Sequence, residues 1–314
     1  MSIKNKIITL KKRAFYYRRL RQLELKKIRS IAVIFYIPKS NTSKYKNWED
    51  GFTGAVELLS KNYQITWINI ADEKPSAEAL NQFDFLIVKS CWDWIVDKYI
   101  RSLKNLNVCK GIAISCSKAP NNNHSIYDYD VLWFETQWHG KSLKKHPRAF
   151  QAFGINTDKF YDQNLDKQID VLSVGALASY KRHDFILKES GKQKVVIGDK
   201  SNKASEVLKK DLIDNGVEVM DYTTQEELAM IINKSKMVYI PAEINGGGER
   251  AVLEARACKT PVKVEEDNPK LIELLTSKIW TEKDYYEGLL KGINSLKNKY
   301  GFYLITRQDR LFLR

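Results

Sequence analysis

The sequence predicts an α/β protein made of two Rossmann-like, doubly wound domains that face a central cleft. Apolar segments rich in β-branched residues alternate with segments of helical periodicity along most of the chain. The apolar segments are continuous, as is typical of parallel strands covered on both faces. The length of 314 residues is also sufficient for two domains of about 150 residues, each with its own core.

The order of the segments defines the predicted units. In the first half, strands at 31–37, 64–70, 83–88, 111–115 and 131–134 are mostly separated by helical segments, beginning with 53–61. In the second half, strands at 169–174, 194–197, 217–220, 237–240 and 262–264 alternate with helices at 181–189, 203–215, 225–234, 249–257 and 269–275. We therefore expect a basic leader at 1–30, domains at 31–150 and 151–280, and a C-terminal helix with a basic tail at 281–314.

The leader carries most of the net positive charge. The chain has a formal charge of +14, and residues 1–30 account for +10 of it. Their apolar residues recur at helical spacing and predict an amphipathic basic helix; they are Ile7, Leu10, Ala14, Tyr17 and Leu20, with Phe15 and Tyr16 adding aromatic surface. Anionic lipid headgroups and nucleic-acid phosphates would both attract such a helix, and a simple solvated arm is the third alternative.

Composition excludes several classes of protein. No uncharged apolar run approaches the roughly eighteen residues of a membrane span, and the N-terminus lacks the apolar core of a secretory signal. We expect a cytoplasmic protein, with the leader offering a peripheral contact to the inner membrane face. The four cysteines are too far apart for a zinc motif and are expected to be reduced; they are Cys91, Cys109, Cys116 and Cys258. No metal site is expected.

A glycine-rich turn is the main candidate for chemistry. The predicted strand at 237–240 leads to Gly246-Gly247-Gly248, and a helix is predicted from 249. The first N–H groups of a helix lack internal partners and carry its positive dipole end, so they favour an anion such as a diphosphate. Glu254, more than one turn deeper, could accept the hydroxyls of a ribose. The alternative is an ordinary turn with a surface ion pair between Arg250 and Glu254.

Several motifs occur in order along the second half. The first is Phe153-Gly154-Ile155-Asn156-Thr157-Asp158-Lys159-Phe160, and then come Val174-Gly175-Ala176-Leu177 with Lys181, and Val196-Ile197-Gly198-Asp199. The last are Pro241-Ala242-Glu243, the glycines, Leu253-Glu254-Ala255-Arg256-Ala257-Cys258 and Pro261-Val262. Over roughly 110 residues this series resembles the family 4 glycosyltransferases of the GT-B fold. The turn that contains Gly51 occupies the place of the family's glycine loop after the first strand.

The resemblance implies an acceptor domain at 31–150 and a donor domain at 151–280. It also implies transfer of a hexose-type sugar from a nucleotide diphosphate sugar, with retention at the anomeric carbon and no metal or other cofactor. Lys181 and Glu254 would be the catalytic residues, one stabilising the leaving diphosphate and the other holding the ribose. The implied donor-binding residues are Gly51, Gly175, Lys181, Arg182, Gly246, Gly247, Gly248, Glu249, Arg250 and Glu254.

The chain departs from the family pattern in three places. Gly246 stands where the family keeps its sugar-binding Glu, and Glu243 or Glu249 are the candidate substitutes. Ala176 stands where the family often has an Arg, so that Arg182 or Arg250 would have to supply this charge. The family's acceptor-side His has no clear counterpart, although His124 is close in sequence.

The resemblance leaves three functional hypotheses open. The first is a glycosyltransferase that acts on a glycan or a lipid-linked acceptor, with the leader on the membrane. The second is a glycosyltransferase that modifies a base in DNA, with the leader on the phosphates. The third is a degenerate GT-B protein that binds a nucleotide without transfer, as the residues at Ala176 and Gly246 suggest.

Overall fold

Two parallel β-sheets, one in each half of the chain, form the framework of the molecule. The computed structural model describes residues 12, 14, 16, 27–37, 50–90, 94–114, 126–143, 145–198 and 203–296. Helices connect the strands within each sheet. The prediction of two Rossmann-like α/β units is therefore confirmed.

The first sheet has six parallel strands in the order β2-β1-β3-β4-β5-β6. They are β1 (Ser30–Phe35), β2 (Gln64–Asn69), β3 (Phe85–Lys89), β4 (Cys109–Ile114), β5 (Val131–Phe134) and β6 (Ala149–Gln151). The helices are α1 (Gly51–Ser60), α2 (Ala77–Leu80), α3 (Ile95–Ser102) and α4 (Gln137–Leu143), with a 3₁₀ turn at Ile126–Asp128. In β1, Ile31 and Val33 pack into the core that includes α1, whereas Ala32 and Ile34 pack into a second core. Burial on both faces explains the continuous apolar segments.

The second sheet has five parallel strands in the order β11-β10-β7-β8-β9. They are β7 (Val171–Val174), β8 (Lys194–Ile197), β9 (Glu218–Met220), β10 (Val238–Ile240) and β11 (Val262–Val264). The helices are α5 (Lys203–Asp214), α6 (Gln225–Asn233), α7 (Glu249–Ala257) and α8 (Pro269–Thr276). Because all strands run in parallel, the loops after β7 and β10 emerge at the same edge of the sheet. This edge brings 175–182 and 241–248 together.

The chain passes between the two domains twice, and the two crossings lie side by side. Ile155 and Thr281 form a parallel backbone bridge, in which the Ile155 N–H donates to the Trp280 carbonyl at 2.9 Å and the Glu282 N–H donates to the Ile155 carbonyl at 3.0 Å. The final helix, α9 (Glu282–Ser295), then packs against α1, β5 and β6. The C-terminal helix thus completes the first domain.

Two glycines allow this joint to pack tightly. A Cβ at Gly51 would lie 1.8 Å from the Gly154 carbonyl oxygen, and a Cβ at Gly154 would lie 1.9 Å from the Thr281 carbonyl oxygen. Neither position has room for a side chain. The start of α1 is therefore in close backbone contact with the first crossing, which in turn lies against the second.

The described part of the leader packs onto the first domain. Lys12, Ala14 and Tyr16 are helical. The buried Tyr16 hydroxyl donates to the Asp130 carbonyl at 3.3 Å and accepts from Arg148 at 3.2 Å. Ala14, which was predicted to lie on the apolar stripe, is exposed, and the other residues of that stripe lie outside the described residues. Tyr16 anchors the leader because it fills a pocket in the domain core.

Element boundaries agree with the predictions to within one or two residues for most strands. The predicted helix at 181–189 is instead two 3₁₀ stretches, Ser179–Lys181 and His183–Lys188, because Arg182 adopts a left-handed conformation with φ of 51°. The short β6 was not predicted. Cys109 and Cys258 are free thiols, while Cys91 and Cys116 lie outside the described residues. Within the described ranges, no helix combines the length and the apolar character needed to cross a bilayer.

Candidate functional site

The glycine turn precedes α7 as the sequence predicts, but its three amides are not equivalent. Gly247 and Gly248 have φ of 71° and 110°, which places both in the left-handed region that favours glycine. The Gly246 N–H donates to the Glu243 carbonyl at 2.6 Å and is therefore occupied. Among the described residues, nothing accepts from the N–H groups of Gly247 and Gly248. These two amides are therefore available to a ligand.

Lys181 connects this turn with the loop that follows β7. Its side chain is buried and runs across Gly175, where a Cβ would lie only 3.1 Å from the Lys181 Cε. The Lys181 Nζ lies 3.5 Å from the position that a Cβ would take on Gly247. Three of the predicted donor-site residues are thus brought together, and a buried ammonium lies beside the two available amides.

A buried histidine fixes the loop beneath Lys181. The Ser173 hydroxyl lies 2.9 Å from Nδ1 of His183, and the Ala176 carbonyl lies 3.1 Å from Nε2. A carbonyl only accepts, so Nε2 carries the proton and Nδ1 accepts from the hydroxyl. Burial, aided by the charge of Lys181, lowers the pKa of His183 to about 4. The ring is neutral at pH 7 and holds the loop through hydrogen bonds.

Glu254 lies deeper in α7 and is buried. Its Oε1 is 3.4 Å from Nε of Arg250, whose Nη1 lies 3.5 Å from Asp50 in the first domain. The ion pair predicted as the alternative to ribose binding therefore exists, but its carboxylate is buried. Burial raises the pKa of Glu254, and Asp50 adds to this effect, while Arg250 opposes it. Glu254 is close enough to the glycine amides along one helix to bind another part of the same ligand.

Glu249 is held by a cation. Its Oε1 lies 2.5 Å from Nζ of Lys270, which is fully buried at the start of α8. Burial alone would raise the pKa of Glu249, but the ammonium of Lys270 outweighs this effect and holds the pKa below its usual range. His139 of the first domain is a further neighbour. Glu249, a candidate for binding the sugar hydroxyls, is therefore already paired with a cation of the protein.

Arg182 and Gly51, two of the predicted donor-binding residues, both make close contacts within the protein. Arg182 donates from Nε to the Pro241 carbonyl at 2.6 Å, and its two terminal nitrogens each contact Asp267 at 2.8 Å. The guanidinium thus holds the loop at 241–248, and three of its five N–H donors are engaged with acceptors of the protein. Gly51 packs against Gly154 in the joint between the domains. Its neighbour Asp50 is the residue that reaches the donor helix.

Sequence reasoning missed several residues that shape the site. Asp50, Asp267 and Lys270 contact the predicted residues, whereas His183 and Asn268 contact the loops that carry them. The sequence Asn268-Pro269 does carry the signal of a helix start. Nothing in the spacing indicates the long-range contacts. His124 lies outside the described residues, and among those described no group of three metal-ligating side chains comes together.

Two parallel α/β domains joined by adjacent crossings, with a returning C-terminal helix, define the GT-B fold, and solved structures agree. Sucrose-phosphate synthase from Thermosynechococcus elongatus matches with a TM-score of 0.53 and 12% identity, covering 90% of this chain and 99% of that chain. HepE from Anabaena, in complex with UDP and glucose, matches with a TM-score of 0.55 and 9% identity, covering 88% and 91%.

AviGT4, a glycosyltransferase involved in avilamycin A biosynthesis, matches with a TM-score of 0.59 and 9% identity, covering 86% of this chain and 98% of that chain. No protein-family model matches the sequence, and no curated protein matches it. At these identities the likeness establishes the fold, and the function must be argued from the site.

Proposed function

We propose that this protein is a glycosyltransferase that uses a nucleotide diphosphate sugar as its donor. The carrying observation is the arrangement of Lys181, the two available amides of Gly247 and Gly248, and the buried Glu254 on the same helix. HepE, which shares the fold, has been solved with UDP and with UDP-glucose. The motif order that resembles family 4 glycosyltransferases supports the same function.

The proposed mechanism depends on stabilising the leaving diphosphate. Departure of the diphosphate from an oxocarbenium-like sugar builds negative charge on the phosphate oxygens, and preorganised donors at that point lower the barrier. Lys181 supplies a buried cation there, and the amides supply the dipole end of α7. Glu254 accepts the ribose hydroxyls and fixes the nucleotide. No step requires a metal, and retention of configuration follows from the family resemblance.

The acceptor that we propose is a saccharide or a lipid-linked glycan, and the sugar is a hexose. The support comes from the basic leader, which carries +10 and is held on the acceptor domain through Tyr16. Such a helix would hold the enzyme at an anionic membrane surface, where lipid-linked acceptors are found.

A thermal-shift screen against nucleotide diphosphates and their sugars tests the proposed donor. A ligand at 100 times its dissociation constant adds about 2.7 kcal/mol of stability. We expect UDP-glucose or another nucleotide sugar to raise the melting temperature. The Glu254→Ala variant should lose the shift, because the ribose loses a charged hydrogen-bond acceptor, and Glu287→Ala, which changes an exposed carboxylate on α9, should keep it. The absence of a shift with every nucleotide would contradict the proposal.

A further inference from the structure

The loop at 241–248 is held by an unusual set of side-chain contacts to its carbonyl groups. Three consecutive carbonyls each accept from a side chain: Pro241 from Arg182 at 2.6 Å, and Ala242 and Glu243 from Nδ2 of Asn268 at 2.8 and 3.0 Å. On the other side, the Glu243 N–H donates to the Tyr180 carbonyl at 2.9 Å. The loop is therefore fixed before the chain reaches the glycine amides.

Asn268 makes these contacts instead of capping the helix that it precedes, α8. It occupies the N-cap position of α8, where an Asn side chain usually accepts from the first turn, but it makes no such cap. Its Oδ1 is buried without a hydrogen-bond partner among the described residues. An unsatisfied buried oxygen and a missing cap both disfavour the folded state. The amide is thus oriented for the loop carbonyls and not for the stability of α8.

Arg182 also adopts a locally unfavourable backbone conformation. It is a non-glycine residue in the left-handed region, with φ of 51°. This conformation directs the guanidinium to the Pro241 carbonyl, while Asp267 holds both terminal nitrogens at 2.8 Å. Asp267 and Asn268 are adjacent in sequence, so one short segment before α8 supports the whole loop. Strained or unsatisfied groups of this kind concentrate at functional sites.

We infer that Asn268, Arg182 and Asp267 are positioning residues that present the Gly247 and Gly248 amides to the phosphates of the donor. They act through the loop and do not touch the ligand. This inference rests on the proposed function, since it concerns the same anion site. It assigns Arg182 the opposite role to a phosphate cation, and the two roles predict opposite effects for a substitution at Asp267.

UDP binding measured by calorimetry separates the two roles. The Asp267→Ala variant removes the carboxylate that holds Arg182, at a position that is 58% exposed and tolerant of substitution. If Arg182 is a positioning residue, the guanidinium loses its orientation, the loop loosens, and UDP binds at least fivefold more weakly. If Arg182 instead contacts phosphate, Asp267→Ala frees it, and unchanged or tighter UDP binding would overturn the inference.

The Asn268→Asp variant tests the hydrogen bonds from Asn268 to the loop carbonyls. The added carboxylate oxygen faces two carbonyls in place of a donor, so we expect at least tenfold weaker UDP binding and a lower ratio of UDP to UMP affinity. Asn233→Asp is the matched control, because Nδ2 of the buried Asn233 also donates to two carbonyls, those of Tyr161 and Ala229, each at 2.9 Å, away from the loop. It should lower stability and change UDP affinity less than twofold.

Nucleotide binding by the wild type distinguishes failure of this inference from failure of the proposed function. If the wild type binds no nucleotide diphosphate, the proposed function is wrong. If the wild type binds UDP, and Asn268→Asp binds it with the same affinity and the same UDP to UMP ratio, the inference alone is wrong. Amide hydrogen exchange at 241–248 should be faster in both loop variants and unchanged in Asn233→Asp.

Discussion

Three buried charged side chains determine the local charge beside the glycine turn. Lys181, Glu249 and Lys270 are all buried near the glycine turn, and Lys270 pairs with Glu249. A buried ion pair adds little net stability, because desolvation offsets most of the attraction. The pair of Lys270 and Glu249 is therefore weak evidence for a purely structural role of this cluster.

Two buried histidines make the stability of the protein depend on pH. Burial lowers the pKa of both His146 and His183 to about 4, whereas an exposed histidine titrates near 6.5. Below 6.5 the unfolded chain binds protons that the native state does not, so the free energy of unfolding falls as the pH falls towards 4. Each histidine should remove about 2 kcal/mol between pH 7 and pH 5.

Urea unfolding at pH 7 and pH 5 measures this loss. The His183→Gln variant should lose less stability than the wild type over this interval, by about 2 kcal/mol, because Gln does not titrate. The comparison cancels the contributions of the carboxyl groups, which both proteins share. An identical pH dependence in the two proteins would show that His183 does not titrate as the structure requires.

Several site residues could be predicted from the sequence, and others could not, for a physical reason. Gly247, Gly248 and Glu254 follow from local rules about helix starts, and Lys181 follows from the family resemblance; the structure brings Lys181 and Gly247 together, with Glu254 deeper in α7. The position of Arg182 depends on Asp267, which lies 85 residues away in the chain. Such a partner leaves no trace in the local spacing, so the guanidinium was expected on the phosphate.

At the level of elements, α8 connects the helix after the glycine turn, α7, with the first domain. Lys270 in its first turn pairs with Glu249 at the start of α7. One turn later, the Glu273 carboxylate accepts from the Gln137 N–H at 2.7 Å and the Trp138 N–H at 3.0 Å, at the start of α4. Helix α8 thus contacts both α7 and the first domain.

Removing the Glu273 carboxylate should weaken the contact between the domains. The start of α4 would lose two charge-assisted hydrogen bonds, and we expect Glu273→Ala to lower the free energy of unfolding by about 1–2 kcal/mol. Fluorescence energy transfer between labels on the two domains should report a broader distance distribution. Glu287→Ala, which removes an exposed carboxylate from α9, is the control. If the two variants behaved alike, the Glu273 contact would carry no weight in the domain arrangement.

The elements themselves were predictable where apolar segments are long, and less so where the backbone departs from regular geometry. Continuous apolar segments located ten strands because both faces of each sheet are buried. The three-residue β6 has too short a pattern to detect. The interruption between the two 3₁₀ stretches at Arg182 could not be predicted, because no local sequence pattern indicates a left-handed arginine.

At the scale of the whole molecule, the GT-B fold places α7 of the second domain opposite α1 of the first. The contact between Arg250 and Asp50 links the two domains, and the joint at Gly51, Gly154 and Thr281 includes the start of α1. A change in the angle between the domains would therefore move Asp50 relative to α7. The alternating segments predicted the two Rossmann-like domains and the motif order indicated the GT-B fold, whereas the identity of an acceptor depends on loops that follow no general code.

Turnover of a nucleotide sugar tests the central claim most directly. We would measure release of the nucleotide diphosphate from the donor that binds in the thermal-shift screen, with the wild type, Lys181→Ala and the control Lys188→Ala, an exposed lysine of the same basic segment. Loss of the buried ammonium should reduce kcat by a factor on the order of 10²–10³, while the control retains full activity. Equal turnover in all three proteins, or donor binding without any product, would contradict the assignment of this site as the centre of a glycosyltransferase.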